Sequence, residues 1–195
     1  MHNWNDTAHK LLDSAESLIK VRGFNAFSFR DLQRQVGVKT STIHYYFATK
    51  ADLANAVLER FLLQHRQSLL SLESKQPSAI KRLQSIADFF VANSEKGEFC
   101  LGGMLSSELN ALNLEAKKIL ADFFGHFEMW VEATIDLGKN NGEMDKSVNA
   151  KHSAQVFVAA IEGGMLITRV RHNSEPYKNL LAQIIKQIKV KGEPL

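Results

Sequence analysis

A dense group of hydrogen-bonding side chains lies in the segment TSTIHYYFATK, residues 40–50. Three aliphatic hydroxyls, one imidazole and two phenols fall within seven consecutive residues there. Such groups both donate and accept hydrogen bonds, so they can bind phosphate oxygens or the edges of nucleic-acid bases. The candidate contact residues are Thr40, Ser41, Thr42, His44, Tyr45 and Tyr46.

Helical spacing indicates which face of this segment is apolar and which is polar. Ile43 and Phe47 are four residues apart and therefore share one face of a helix. Leu32 and Val36 have the same spacing just upstream. We expect these four apolar side chains to close a small core between two short helices. The opposite face of the second helix, which carries Tyr45, then points away from that core.

Signals within residues 28–47 predict a short helix, a turn and a second short helix. Ser28 is followed three residues later by Asp31, a pattern that resembles a capping box and opens the first helix. Gly37 breaks this helix, and Thr40 is placed to cap the next one. This arrangement is the outline of a helix-turn-helix.

The positive charge of the chain is concentrated near this segment. The whole chain carries a formal net charge of +3. Residues 1–50 hold seven Lys or Arg and four Asp or Glu, so the entire excess lies in the first quarter. Lys39 and Lys50 bracket the second short helix, where they could neutralise phosphates. A basic segment joined to a neutral body favours a polyanionic partner.

Length and composition are those of a globular protein that can bury a sizeable core, with 195 residues and a hydrophobic share of 45%. Cys100 is the only cysteine, so no intrachain disulfide can form, which fits a reducing cytoplasm. The N-terminal residues lack the apolar run of a signal peptide, and no apolar run reaches the length of a membrane span. We therefore expect a cytoplasmic protein with no membrane partner.

Apolar residues recur at helical spacing along the chain, without the alternation that marks a strand. The sequence therefore predicts an all-α fold of about nine helices. Thr49 and Asp52 form a second capping-box pattern at the point where the charge excess ends. We place a domain boundary there, with residues 1–50 as a three-helix domain containing the helix-turn-helix and residues 51–195 as a larger helical domain. The segment 97–108 is predicted to be irregular.

The N-terminal pattern resembles a known family. Residues 11–53, including the run VGVKTSTIHYYFATKADL, resemble the N-terminal DNA-binding domain of the TetR family of bacterial transcriptional regulators. Gln33 stands where that family usually has Ala, Lys39 where Ser or Thr often caps the second helix, and His44 where Tyr is frequent. The positions that fall at family spacing are Gly23, Phe24, Ser28, Gly37, Val38, Tyr45, Phe47, Lys50, Asp52 and Leu53.

This resemblance implies a ligand-responsive regulator, usually a repressor, that works as a cytoplasmic homodimer. The helix-turn-helix would bind a palindromic operator in double-stranded DNA, and a small-molecule effector in the larger domain would release it. Phosphate contacts would come from Lys39, Tyr45 and Lys50. Base or groove contacts would come from Arg30, Thr40, Ser41, Thr42, His44 and Tyr46.

The last two long helices carry strong apolar stripes, which could pack inward or against a second subunit. The resemblance favours a four-helix dimer interface, and Gly163-Gly164 would let another helix approach closely. The predicted interface residues are Phe157, Ile161, Met165, Tyr177, Leu181, Ile184 and Ile188.

An aromatic-rich region precedes these helices and could form an apolar pocket for a small molecule. Phenylalanines at helical spacing equally suit an ordinary core, so both interpretations stay open. The candidate pocket residues are Phe89, Phe90, Cys100, Met104, Glu108, Phe123, Phe127 and Trp130.

Cys100 supports two further hypotheses. It could be a thiol that senses electrophiles or oxidants, or a buried small apolar residue with a structural role. A helical thiol enzyme is the rival in the enzyme class, and it would need His126 or His152 close to Cys100. No metalloprotease, phosphate-loop or nucleophile-elbow motif occurs in the sequence. We therefore expect a protein that is not an enzyme and that needs no metal or cofactor.

Overall fold

A computed structural model describes residues 4–190 of the chain. Within this range the fold is all-α, as predicted, with nine α-helices and one short 3-10 helix at Leu109–Ala111. The helices are α1 (Asp6–Arg22), α2 (Phe29–Val36), α3 (Thr40–Tyr46), α4 (Lys50–Lys75), α5 (Ala79–Glu95), α6 (Leu101–Ser107), α7 (Leu114–Asn140), α8 (Ala150–Arg171) and α9 (Glu175–Ile188).

Local capping signals set the boundaries of α2 and α4. The carboxylate of Asp31 accepts hydrogen bonds from the backbone N–H and the hydroxyl of Ser28 at 2.7 and 2.6 Å. Asp52 binds the N–H and hydroxyl of Thr49 in the same way, at 2.9 and 2.8 Å. Gly37 ends α2 in the left-handed conformation, with φ of 75°. Both predicted capping boxes are therefore present.

The predicted cap of α3 is wrong. Thr40 is the first residue of α3, and Lys39 occupies the N-cap position without a side-chain hydrogen bond to the helix. The hydroxyl of Thr40 instead donates to Oε1 of Gln33 on α2, at 2.5 Å. The side chain thus joins the two helices of the motif rather than capping one of them.

The segment 97–108, predicted to be irregular, contains helix α6. Glycine is a poor helix former, and α6 contains two adjacent glycines. A Cβ on Gly102 would lie 2.6 Å from a ring carbon of Phe123. The glycine therefore allows α6 to pack directly on an aromatic ring, and this tertiary contact outweighs the local preference.

The chain forms two compact units. Unit 1 comprises the residues up to Gln64 together with Cys100–Phe123, and unit 2 comprises His65–Phe99 together with the residues from Phe124 onwards. The predicted boundary at residue 50 coincides with the first residue of α4, inside unit 1. The first half of α4, all of α6 and the start of α7 thus share a compact unit with the helix-turn-helix.

In unit 2, helices α8 and α9 pack closely on each other. The ring of Tyr177 on α9 lies against Gly164 on α8, where a Cβ would come within 2.2 Å of it. The phenol of Tyr177 donates a hydrogen bond to the carbonyl oxygen of Ile161 at 3.1 Å. Gly164 therefore allows the close approach predicted for the glycine pair, but the approaching helix belongs to the same chain.

This packing corrects the predicted dimer interface. Six of the seven predicted residues are buried within a single chain, and Ile184 is half-buried. An apolar stripe on each helix was assigned to a partner subunit, whereas the two stripes cover each other. The buried six are Phe157, Ile161, Met165, Tyr177, Leu181 and Ile188.

Helix α8 is also long and apolar enough to cross a membrane, judged by length and composition alone, with a mean hydropathy of 1.2 over its most apolar window. It packs against α5 and α9 in the structure. Burial of one apolar face between neighbouring helices is the ordinary situation of a core helix in a globular domain.

Candidate nucleic-acid interface

One face of α3 is anchored in the core of unit 1. Ile43 and Phe47 are fully buried together with Leu32 of α2, while Val36 is half-buried. The ring of Phe47 also lies 5.4 Å, centroid to centroid, from that of Trp4. The predicted small core between the two short helices is therefore present, and it fixes which face of α3 points outward.

The outward face of α3 carries polar and aromatic groups. Ser41, His44 and Tyr45 are exposed, and the side chain of Tyr45 is 82% accessible to solvent. The ring of Tyr45 meets that of Tyr46 edge-on, with centroids 5.1 Å apart. An exposed ring of this size gains little from the fold of its own chain, so its placement favours contact with a partner.

His44 is oriented by two contacts. Its Nδ1 lies 3.1 Å from the carbonyl oxygen of Ala48, and its ring meets Phe29 edge-on with centroids 5.0 Å apart. Because a carbonyl oxygen only accepts, Nδ1 must carry the proton in this contact. In the neutral ring, Nε2 can then accept a hydrogen bond from an external donor, such as the amino group of adenine or cytosine.

Tyr46 has a partner inside the chain. Its phenol oxygen accepts a hydrogen bond from Nδ2 of Asn5 at 2.5 Å, and its ring packs beside Phe47. Asn5 also caps α1 by accepting from the N–H of Ala8 at 3.0 Å. Sequence reasoning missed this tie between α1 and α3 because the two residues are far apart along the chain.

Two of the predicted cationic contacts, Arg30 and Lys39, are exposed on unit 1. The third, Lys50, is not available to phosphate. Its ammonium donates hydrogen bonds to the carbonyl oxygens of Phe24 and Phe27 and lies 4.4 and 4.2 Å from the centroids of their rings. Burial lowers the pKa of Lys50, an effect that the negative charges of Glu108 and Asp31 oppose.

The assignment of Lys50 as a phosphate contact is therefore corrected. A signal was present in the sequence, because Lys50 is the first residue of α4, where the helix dipole disfavours a positive charge. A cation in that position needs compensating acceptors, and the carbonyl groups of the preceding loop supply them.

The predicted pocket residues are distributed over both compact units. Cys100, Met104 and Phe123 are buried in unit 1. Glu108, also in unit 1, binds the backbone of the loop between α1 and α2, at the N–H groups of Phe24 and Asn25. Glu108 is therefore removed from the predicted pocket, because both of its carboxylate oxygens are engaged elsewhere.

The remaining aromatic candidates lie in unit 2. Phe90 and Phe127 are buried and stack with centroids 6.0 Å apart, whereas Phe89 is 59% exposed and cannot line an interior site. Sequence reasoning missed His65, whose ring meets Phe127 edge-on at 5.0 Å. Burial lowers the pKa of His65 to about 4, which keeps the imidazole neutral at pH 7.

Trp130 carries a donor that is of interest for ligand binding. The residue is half-buried, and its indole Nε1 is buried with no hydrogen-bond partner within residues 4–190. Buried donors are normally satisfied, so each unsatisfied one needs an explanation. A bound molecule whose acceptor group receives the indole N–H would explain this unsatisfied donor.

Comparison with known proteins identifies the family. The model of the N-terminal domain of "Bacterial regulatory proteins, tetR family" matches residues 11–57, and that of "Tetracyclin repressor-like, C-terminal domain" matches residues 79–184. The chain belongs to the TetR family. It is a DNA-binding transcriptional regulator of the TetR type, with the resemblance of residues 11–53 confirmed and extended to the second helical region.

Individual TetR relatives match along almost the whole chain. The repressor DhaR of Mycobacterium sp. strain GP1 is 23% identical over 184 residues, covering 91% of this chain and 90% of DhaR. The repressor NemR of Escherichia coli K12 is 24% identical over 189 residues, covering 94% of each chain. A crystal structure of a TetR regulator from Agrobacterium tumefaciens has the same fold, with a TM-score of 0.89, 22% identity and coverage of 94% and 98% of the two chains.

Proposed function

We propose that this chain is a cytoplasmic, homodimeric repressor that binds a palindromic operator through α2 and α3. A small molecule in the larger helical region releases it from DNA. The observation that carries the proposal is the exposed face of α3, whose opposite face is anchored by Ile43 and Phe47. The relatives DhaR and NemR, which are named as repressors, support repression over activation.

The exposed face of α3 suits a major groove. Ser41 and His44 offer hydrogen-bonding groups to base edges, and Tyr45 offers a ring and a phenol. Arg30 and Lys39 are exposed cations that can bind phosphates or guanine. Thr40, Thr42 and Tyr46 are half-buried, so we assign them to the edges of the contact rather than its centre.

An unpartnered stripe along α8 supports a dimer. Val156, Leu166, Ile167 and Val170 are exposed apolar residues that recur at helical spacing. Gly163 lies among them, and a Cβ at this position would have no neighbour within 4 Å. The same face on a second copy would cover the stripe in a two-fold arrangement, which matches the symmetry of a palindromic operator.

An effector site is supported by the aromatic cluster of unit 2. Phe90, Phe127 and the neutral His65 supply apolar ring surface, and Trp130 supplies an unsatisfied indole donor. This combination suits an uncharged aromatic or apolar molecule with a hydrogen-bond acceptor. Release from the operator requires that such a molecule binds the DNA-free form more tightly than the DNA-bound form.

The test begins with selection of a duplex from a random library by the wild-type protein. Binding of that duplex is then compared at constant salt for Tyr45→Ala and Met129→Ala. Met129 is an exposed apolar residue of α7 and controls for loss of surface area. We expect Tyr45→Ala to weaken binding by about tenfold or more, which is the range of a significant interface contact. Equal affinities of both variants would remove Tyr45 from the interface.

A second candidate function is thiol sensing by Cys100. The residue occupies the N-cap of α6 and is 7% exposed, so any group added to its sulfur must displace its surroundings. The E. coli NemR structure to which this chain is similar was solved in a reduced form, with a TM-score of 0.83 and 23% identity. This likeness supports a comparison of DNA binding before and after modification of the Cys100 thiol in the present protein.

The thiol can be tested cleanly because Cys100 is the only cysteine. Wild-type protein bound to its selected duplex is treated with N-ethylmaleimide and compared with Cys100→Ser. If the thiol is the sensor, the wild type releases the duplex and the variant retains it. Release of both proteins to the same extent, or of neither, would leave Cys100 a structural residue.

A further inference from the structure

The residue that ends α6 binds the backbone of the helix-turn-helix domain. Glu108 is the C-cap of α6, and its Oε1 accepts the N–H of Phe24 at 2.9 Å while its Oε2 accepts the N–H of Asn25 at 2.7 Å. Both carboxylate oxygens are therefore engaged by one loop, which connects α1 to α2. Hydrogen bonds to an ionised acceptor are stronger than those between neutral groups.

The loop is shaped to receive this carboxylate. Gly23 ends α1 with φ of 94°, a conformation that side chains rarely adopt. A Cβ on Gly23 would also lie 2.2 Å from Oε1 of Glu108. The glycine is thus needed both for the backbone turn and for the close approach of the carboxylate to the N–H groups.

Lys50 binds the carbonyl oxygens of the same loop. The ammonium donates to the carbonyl oxygens of Phe24 and Phe27, while Glu108 binds N–H groups of the loop. Lys50 begins α4 and Glu108 ends α6, so the loop is bound by both helices. A carboxylate thus binds the N–H groups of this short loop, and an ammonium group binds its carbonyl oxygens.

A separate ion pair anchors the middle of α1. The guanidinium of Arg60 on α4 binds Asp13 at 2.7 Å and Glu16 at 2.9 Å. This pair ties α1 to α4 alone, whereas Glu108 is joined to the end of α1 from α6. Helix α1 also packs on α6. Loss of Glu108 would leave that packing and the Arg60 ion pairs in place, but it would remove the two hydrogen bonds that fix the loop after α1 to the end of α6.

We propose that Glu108 is a positioning residue that determines operator spacing by fixing the orientation of the helix-turn-helix relative to α6. The inference rests on the proposed function, because a dimer must place its two recognition helices at a set separation on palindromic DNA. Within residues 4–190, the hydrogen bonds of Glu108 go to the backbone of the loop and not to a proposed DNA-contacting side chain. Its effect passes through the loop from which α2 and α3 follow.

The test uses full-length protein and the duplex selected by the wild type, together with duplexes whose half-sites are moved one base pair closer or further apart. Glu108→Gln keeps the size of the side chain but removes its charge. Glu98→Gln makes the same change at an exposed glutamate just before α6 and is the matched control. Thermal unfolding confirms that each variant is folded.

A positioning role predicts that Glu108→Gln discriminates less between half-site spacings, rather than losing affinity equally for every duplex. We expect wild type and Glu98→Gln to lose about tenfold in affinity when the spacing changes, and Glu108→Gln to lose about threefold or less, since weaker hydrogen bonds let the motif adjust. If Glu108→Gln instead binds every duplex more weakly than wild type by the same factor, the residue only stabilises the fold and the proposal is overturned.

Amide hydrogen exchange tests the contact without DNA. Exchange at the N–H groups of Phe24 and Asn25 should be faster in Glu108→Gln than in wild type or Glu98→Gln, and unchanged rates would overturn the proposal directly. Failure of the wild type to select any duplex would refute the proposed function, and the spacing role with it. If Glu108→Gln does not fold, Glu108→Asp, whose shorter side chain retains the charge, takes its place in both measurements.

Discussion

The imidazole of His65 meets the ring of Phe127 edge-on, with ring centroids 5.0 Å apart. Burial in this apolar setting lowers the pKa of His65 from its usual 6.5 to about 4. A proton is therefore bound by the unfolded chain but not by the native chain between these two pH values. Stability must decrease as pH falls through that window, and above pH 6.5 this contribution no longer changes with pH.

We expect the native state to lose a total of about 3 kcal/mol of stability from His65 across this window. His65→Leu should lack this component, so the difference in unfolding free energy between wild type and variant should vary with pH between about 6.5 and 4. Urea unfolding at several pH values measures it. A constant difference over that range would show that His65 titrates normally in the folded protein.

Removing the charge of Lys39 should change DNA binding but not stability, and removing that of Lys50 should change stability but not the salt dependence of DNA binding. Lys39→Gln removes an exposed cation, so the salt dependence of operator binding should become shallower by about 0.9 on the log–log plot, with stability unchanged. Lys50→Gln removes the donor to Phe24 and Phe27 and should destabilise the protein by about 1–3 kcal/mol without changing that slope. A shallower slope for Lys50→Gln would restore it as a phosphate contact.

Charge on the apolar stripe of α8 should separate the proposed dimer. Val170 is 80% exposed and has no other evident role in the fold, so Val170→Glu should leave the monomer folded. We expect its dimer dissociation constant to rise at least about tenfold, since an unpaired charge would be buried in the interface. Gln155→Glu, which adds the same charge at another exposed position of α8, is the control. Sedimentation equilibrium would contradict the assignment if both variants dimerised like wild type.

The hydrogen bond between Asn5 and Tyr46 should stabilise the packing of α1 on α3. Tyr46→Phe removes only the acceptor oxygen and should cost less than about 1 kcal/mol of stability, because the bond is exposed. A double-mutant cycle with Asn5→Ala isolates the pair from the separate role of Asn5 as the cap of α1. Zero coupling in unfolding experiments would mean that the two side chains do not interact in solution.

Local chemistry made part of this structure predictable. The capping boxes at Ser28 and Thr49 join groups three residues apart, so the sequence displays them directly. The inward face of α3 followed from the spacing of Ile43 and Phe47. Each of these features depends on neighbours within one turn of a helix.

Other features depend on contacts that no local pattern displays. Helix α6 forms across two glycines because Phe123 packs on one of them. Glu108 reaches a loop 84 residues earlier in the chain, and nothing around either segment marks the pairing. The stripe containing Ile161 has the same spacing whether it faces its own chain or another one. Sequence periodicity identified the apolar surface but not what covers it.

Gly163 and Gly164 are neighbours that face different surroundings. Gly164 admits the ring of Tyr177, while Gly163 opens onto unoccupied space beside the exposed stripe. Successive residues of a helix are turned by about 100° from each other, so one added residue upstream would rotate both surfaces of α8 out of register. Helix α8 should therefore tolerate exchange of side chains on its outer face far better than any insertion or deletion. The spacing of this one helix would link the folding of each subunit to its assembly with a second copy.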